Sequence, residues 1–439
     1  MASTFYQTTV YQIFLRAFTK EGTIRAAAEH LADIAALGAE YVYLCPVFTA
    51  DDNGDQAFWS PRQKASGFNN PKNPYRIKDY FSVDCEYGTE QDLVNFVRRA
   101  HELNMKVLFD LVYFHCGPDA VFLKEHPDFI RRKPDGTPDC GGWAFPRLNY
   151  DVPALREYLY ENMLYWLKVC DIDGYRCDVG GCCPADFWQE GIRRCRRIKP
   201  DFFMIDESDP YPDTDAGFDA FYNFQWSDTL QKVLREKEAP ASLLAEEHQK
   251  ELQAASYPAL RLHTHDNHDY ANDCFDTRYD QNPGTDGVNA ALVFDALIDG
   301  IFFIYNGVEV CDTNRNSIFY SRAYSAGKDC TVAWDRRKLP CSDERRALLT
   351  RLIALRRELP ALSGTATEML YADDKAVAFA RGTGEERIAV AVNLKAEPAV
   401  LPLDFSGKDM LLSHGAALGE QTQLGAYGYA VVTYNSYSK

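Results

Sequence analysis

Short apolar runs alternate with longer amphipathic ones from the start of the chain. Val10 to Leu15 reads as a buried strand. A helical run from Ile24 to Leu37 follows and ends at Gly38, a residue suited to a helix C-cap. Tyr41 to Cys45 is a second strand, stopped by Pro46, and a polar loop rich in Gly, Asn and Pro runs on to Glu86. Gly88-Thr89-Glu90 opens a helix that reaches His101, and Met105 to Val112 is the third strand. The alternation continues with helix 153–170, strand 173–177, helix 184–198 and strand Phe202 to Ile205. A weaker strand near Phe218 to Tyr222 and helical runs over 227–255 come next. Strand Leu260 to Thr264, a helix near 287–297 and strand Ile301 to Tyr305 complete the series.

Eight strands alternating with helices predict parallel β/α units closed into a (β/α)8 TIM barrel, an α/β fold. An open doubly wound sheet is the rival, but no G-x-G-x-x-G follows the first strand and no G-x-x-x-x-G-K-[ST] occurs anywhere. After a last helix, Glu344 to Glu358, the texture changes. Short alternating segments such as Ala376–Arg381, Arg387–Leu394 and Ala430–Tyr434 predict a small all-β domain. The stretch Cys116 to Asn149 is too irregular for a simple βα connection and reads as an excursion over the barrel mouth. The expected organisation is a barrel over 1–115 and 150–361, an inserted subdomain over 116–149, and a C-terminal β-sandwich over 362–439.

At 439 residues, with 46% hydrophobic and 25% charged residues, the chain has the size and composition of a soluble barrel plus one small domain. A net charge of −17 argues against a nucleic acid or an anionic membrane as partner. Asp295 and Asp299 interrupt the most apolar later stretch, so no membrane helix is expected. Thirteen cysteines without any C-x-x-C spacing suggest neither zinc nor thioredoxin-like chemistry. The N-terminus lacks the features of a signal peptide, and with thiols expected to be reduced this reads as cytoplasmic. The oligomeric state stays open.

The segment D-I-D-G-Y-R-C-D (171–178) places Arg176 two residues before Asp178, so both point to one face of a strand. The adjacent cation is expected to lower the pKa of Asp178 and keep it ionised. Alone, such a pair is usually an ordinary ion pair. Its company changes the reading, because other strand ends carry Asp110 and His115, Asp206 and Glu207, and His265 and Asp266. In a β/α barrel these ends converge on one mouth. Crowded carboxylates raise one another's pKa, so one can stay protonated beside an ionised neighbour. That is the machinery of a retaining glycosidase.

With these residues in view, the chain resembles the α-amylase family of retaining α-glycoside hydrolases and transglycosidases. V-Y-Q-I-F-L-R-A-F is similar to its first strand and Y-V-Y-L-C-P-V-F to its second. D-L-V-Y-F-H, G-Y-R-C-D, M-I-D-E-S and L-H-T-H-D resemble its four signatures in order, and I-Y-N-G-V-E its eighth-strand motif. The resemblance implies Asp178 as nucleophile, Glu207 as acid and then base, and Asp266 as the carboxylate that holds the sugar hydroxyls. It implies Tyr75 stacked on the sugar, His115 and His265 hydrogen-bonded to it, Arg176 orienting Asp178, and Asp110 bracing the site. Trp143, His268 and Arg315 are further candidates for sugar contact.

Two departures shape the expectation. Many members carry an Asn before the first-signature His that helps bind a structural calcium; Phe114 stands there, and a phenyl ring offers no oxygen ligand. No cofactor and no metal are therefore expected. The second signature often continues to Lys-His, whereas Gly181-Cys182 stands here, which draws the expectation from long-chain amylase action toward short glucans. In H-T-H-D-N-H-D (263–269), a metal cluster would be an alternative, but its spacing misses the usual H-x-H-x-D-H by one residue. Cys182-Cys183 reads as packing, and the basic run 193–199 as a solvated helix end. The expected function is retaining hydrolysis of α-glucosidic bonds, α-1,4 in particular, in maltooligosaccharides or related α-glucosides. Transglycosylation or isomerisation through the same intermediate, or non-catalytic sugar binding, are the alternatives.

Overall fold

A computed structural model describes residues 5–208, 216–254, 260–271, 277–384 and 386–434. Residue 255 of the expected helical run, and the ends 1–4 and 435–439 of the expected domains, lie outside the described residues. Strands β1 (Thr9–Ile13) and β2 (Tyr41–Leu44) are followed by a two-stranded antiparallel ribbon, β3 (Phe48–Ala50) and β4 (Ile77–Val83). Then come β5 (Lys106–Leu111), β6 (Gly174–Cys177), β7 (Phe203–Asp206), β8 (Ala220–Tyr222), β9 (Leu260–His263) and β10 (Ile301–Tyr305). The eight parallel strands close in the order β1-β10-β9-β8-β7-β6-β5-β2. Every residue of β1, β2, β6, β7, β8 and β10 is buried, because helices cover the outer face and side chains fill the inner one.

Local chemistry sets the helix boundaries. Thr89 caps the helix Glu90–Glu102, its hydroxyl accepting from Asp92 N–H while the Asp92 carboxylate accepts from Thr89 N–H. Gly38, at φ +97°, ends the helix Leu31–Leu37 in the left-handed conformation that glycine adopts at little cost. The single helix expected over 24–37 is two, Ile24–Glu29 and Leu31–Leu37, joined at His30. The His30 ring lies 4.3 Å from the Trp334 ring. The ribbon of β3 and β4 lies inside the stretch expected to be polar loop, and it carries a segment, 51–76, back over the barrel mouth. The excursion after β5 contains two short turns, Val121–Lys124 and Pro127–Phe129, and returns through the bridge between His115 and Arg147.

Six antiparallel strands form the C-terminal unit: β11 (Thr367–Ala372), β12 (Ala376–Arg381), β13 (Ile388–Asn393), β14 (Ala399–Leu401), β15 (Met410–Ala417) and β16 (Thr422–Thr433). The expected sandwich is instead one hydrogen-bonded sheet, β11-β12-β13-β16-β14, with β15 also on β16. β16 is long enough to serve both halves: Thr422–Leu424 pair with β14, and Tyr429–Thr433 with β13. Between them Tyr427 takes φ +50°, which bends the strand. Alternation divides the faces. Val377, Phe379, Val390, Val392 and Val431 join the barrel's core, while the small Ala376, Ala378, Ala389 and Ala391 line a separate core with Leu401 and Phe405. Among the described residues no helix is long and apolar enough to cross a membrane.

Candidate active site

The parallel ladder fixes where the acidic side chains emerge. Asp110 is level with Arg176 across β5 and β6, and Cys177 is level with Asp206 across β6 and β7. The ladder runs one residue past each strand end: Asp178 N–H donates to Leu111 O at 2.8 Å, and Glu207 N–H to Cys177 O at 3.0 Å. Asp178 and Glu207 therefore leave the sheet on neighbouring strands at the C-terminal mouth.

One fully buried guanidinium serves three carboxylates. Arg176 Nη1 donates to Asp110 Oδ1 at 2.8 Å and to Asp178 Oδ1 at 3.0 Å, and Nη2 stands 2.6 Å from Glu207 Oε1 as an ion pair. Asp110 also accepts from the hydroxyls of Tyr43, at 2.5 Å, and Tyr75, at 3.2 Å. Glu207 Oε2 accepts from Val179 N–H at 3.0 Å. That N–H is delivered by a left-handed backbone at Val179, φ +41° and ψ +41°, an uncommon conformation for a β-branched residue. The next residues pass close under β7, since a Cβ on Gly180 would sit 2.3 Å from Asp206 Oδ1.

Burial decides the protonation of this cluster. It pushes Asp178 up to about 7, against the pull of Arg176. The expectation that Arg176 alone would depress Asp178 is thus corrected: desolvation outweighs the adjacent cation. Burial raises Glu207 well above the usual carboxylate range, again opposed by Arg176 and reinforced by the charges of Asp178 and Asp269. Burial lowers His115 to about 4, so its ring is neutral at physiological pH. Its Nε2 donates to Tyr75 O at 2.8 Å, which leaves Nδ1 as an acceptor without a hydrogen-bond partner among the described residues.

A cleft of about 830 Å³ opens over these groups. Tyr75, His115, Asp178, Glu207, His268 and Asp269 are in its lining, with Trp143 of the excursion after β5. Asp110 and Arg176 lie sealed behind that lining, at 1% and 0% exposure, and reach it only through Asp178, Glu207 and Tyr75. Arg315 is half-buried and not in the lining.

The fourth strand-end pair is where sequence and structure part. His265 and Asp266 are not in the cleft lining. Asp266 Oδ2 accepts from Arg278 at 2.8 Å, whose other nitrogen bonds Asp312 at 2.7 Å, while His265 faces Asp295 at 3.3 Å and the edge of Tyr279. The reason is local. β9 ends at His263, and Thr264 Oγ1 donates to Asp266 O at 2.6 Å in a turn that carries the chain onward. Asn267 then accepts from the N–H groups of Asp269 and Tyr270 at 2.8 and 3.1 Å. The next His–Asp pair, His268 and Asp269, is the one that reaches the cleft. The signal was in the sequence: in H-D-N-H-D the dipeptide occurs twice.

His268 is tied on both ring nitrogens. Gln12 Nε2 donates to Nδ1 at 2.8 Å, so Nε2 carries the proton and faces the Tyr75 hydroxyl at 2.7 Å. The Tyr75 and His268 rings stack at 5.4 Å. Asp269 Oδ1 meets Arg62 Nη1 at 2.7 Å, and Oδ2 lies 3.4 Å from His268 Nε2. Burial pushes Asp269 up, but His268 and Arg62 together hold it well below the usual carboxylate range. Arg62, Asn73, Phe145, Phe224 and Phe319 also line the cleft and carried no signal in the sequence beyond ordinary loop composition.

The position expected to lack a calcium ligand holds Phe114, whose ring packs edge-on to Trp143 at 5.8 Å and beside His115 at 5.9 Å. The phenyl ring offers no oxygen to a hard cation. Among the described residues no group of three or more His, Cys, Asp or Glu could hold a metal.

Residues 3–135 match the model described as the α-amylase catalytic domain. Over that part the chain is similar to the α-amylase catalytic domain. It is 26% identical over 457 residues to α-amylase MalA of Haloarcula japonica, covering 98% of this chain and 61% of that protein. To the cyclomaltodextrinase of Geobacillus thermopakistaniensis it is 27% identical over 419 residues, covering 88% and 64%. The chain thus spans under two thirds of the length of these relatives. The crystal structure of an α-amylase from Lactobacillus plantarum shares the fold, with a TM-score of 0.79, 22% identity, and coverage of 98% of this chain and 99% of that one.

Proposed function

We propose that this α-amylase-family protein hydrolyses α-1,4-glucosidic bonds in short maltooligosaccharides with retention, through a glycosyl ester on Asp178. One observation carries the reading: Arg176 holds Asp178 and Glu207 together at one mouth, with Asp269 in the same cleft. Glu207, raised by burial, keeps its proton to neutral pH and suits the general acid that protonates the leaving oxygen. Asp178 is ionised once pH passes about 7, and it attacks the anomeric carbon from the opposite face. After the aglycone leaves, ionised Glu207 takes a proton from water, which then cleaves the ester. We assign the third carboxylate role to Asp269 and not to Asp266, because Asp269 is ionised in the cleft while Asp266 is consumed by Arg278. Tyr75 offers a ring face to the sugar, and the Nδ1 of neutral His115 accepts a hydroxyl. The relatives named cyclomaltodextrinase support a preference for short or cyclic α-1,4 glucans. Gly181 and Cys182, which put no long polar side chain into the cleft, agree with it.

A site inside the cell belongs to the same reading, supported by cysteines that form no disulfide among the described residues. So does activity without metal, supported by the Phe114 ring, which packs on Trp143 and offers no oxygen ligand. The test is reducing-sugar release from maltose through maltoheptaose and from cyclomaltodextrins, with and without chelator, with the first-formed anomer read by proton NMR. The α-anomer, released equally with chelator present, is expected. A β-anomer, or no turnover of any α-glucan, contradicts the proposal.

A further inference from the structure

We infer that Arg62 is a substrate-binding residue that forms with Asp269 a donor–acceptor clamp for adjacent hydroxyls of one sugar ring; this rests on the glycosidase reading of the cleft. Arg62 sits on the short helix Pro61–Ala65, in the segment between the ribbon strands β3 and β4 and outside the barrel strands. Its Nη1 meets Asp269 Oδ1 at 2.7 Å, and its Nη2 meets Asp269 O at 3.4 Å. Both side chains are about one-third exposed, at 32% and 28%, and both line the cleft.

The segment that brings Arg62 there is held firmly. Arg76, fully buried, donates to the carbonyls of Phe58 at 2.7 Å, Asn53 at 2.8 Å, Pro71 at 2.8 Å and Asp51 at 3.2 Å. The Ser60 hydroxyl caps the helix by accepting from Gln63 N–H at 3.1 Å, and Gln63 Nε2 donates to Asn70 O at 2.8 Å. Arg62 is therefore placed by a braced loop, and the pair spans two separate parts of the mouth.

The chemistry of the pair matches a vicinal diol. Each sugar hydroxyl donates one hydrogen bond and accepts others, whereas an ionised carboxylate only accepts and a guanidinium only donates. Asp269 alone can accept from two hydroxyls; Arg62 beside it donates to their oxygens. The titratable and charged groups around Asp269 are Arg62 and His268 on its own side, with Arg176, Asp178 and Glu207 across the cleft. Arg62 is the cation in direct contact, and it helps keep Asp269 ionised as pH falls.

Arg62→Ala and Arg62→Lys are compared with wild type for kcat and KM on maltotriose over the acid and neutral range. Arg62→Ala is expected to raise KM about 10- to 100-fold. Arg62→Lys is expected to recover only part of that KM, because an ammonium lacks the forked donors. An unchanged KM in Arg62→Ala overturns the inference, as does a loss confined to kcat and thermal stability. Calorimetry of maltotriose with Glu207→Gln separates the two levels. If wild type neither turns over nor binds the sugar, the glycosidase reading fails and the clamp with it. If wild type is active and adding Arg62→Ala leaves binding intact, only the clamp fails.

Discussion

Asp266 and Asp269 are three residues apart and have opposite environments. Asp266 neutralises buried Arg278, so Asp266→Asn removes half of a buried ion-pair pair and is expected to cost about 3 kcal/mol of stability or more, read as a lower Tm. Asp269→Asn leaves the buried network intact and is expected to lower kcat on the order of 10²–10³-fold with little change in Tm. Reversal of the two phenotypes would return the role to Asp266. Asp178 gives a pH signature of the other sign from an ordinary ion-paired carboxylate. Its folded value, about 7, lies above the ordinary 3.8, so the native state binds the proton more tightly than the unfolded chain does. Stability contributed by that proton is lost as pH rises between those two values. Asp178→Asn should therefore raise Tm above pH 7, by the equivalent of roughly 1–4 kcal/mol, with the gain vanishing near the lower bound. A wild-type Tm that matches the variant at all pH values would show that Asp178 carries no such burden.

At the scale of elements, strands and capped helices were legible because their signals are local: Thr89 with Asp92, Gly38, and apolar runs of strand length all lie within a few residues. The β5 and β6 ends were legible too, since Asp110, Arg176 and Asp178 follow from period-two alternation in a barrel. The β9 end was not. Whether a strand stops at His263 or two residues later depends on the Thr264 turn and on Arg278 claiming Asp266, and both are tertiary facts. The 51–76 segment was opaque because its far end folds back, with the Arg76 guanidinium bonding four of the segment's own carbonyls. Arg76→Met should leave the barrel folded but open this segment. Faster amide exchange over 51–73 and a higher KM are the expected outcomes, and unchanged exchange there would show that other contacts suffice.

On the scale of the whole molecule, the C-terminal sheet is fastened to the barrel and not merely appended. Phe379 stacks on Phe294 with centroids 5.4 Å apart, and Arg381 donates to Leu297 O at 2.9 Å. Lys395 donates to the carbonyls of Val233 and Ala239, both at 2.8 Å. The expected division into two sheets missed this, because composition shows that both faces of β12 and β13 are apolar but not what each face covers. The bulky face, Val377, Phe379, Val390 and Val392, belongs to the barrel's core. Deleting 362–439 should expose that face and leave an aggregating barrel, as read by light scattering; a soluble, active barrel would show that the two units fold independently.

In the proposed reaction Asp178 becomes glycosylated. An α-maltosyl fluoride carries a leaving group that needs no proton, so Glu207→Gln can still form the ester, while its hydrolysis lacks the base. Intact-protein and peptide mass spectrometry of that variant should find one maltosyl group, on the peptide that contains Asp178. Full consumption of the fluoride by an unmodified protein, or an adduct on another carboxylate, would contradict the assignment.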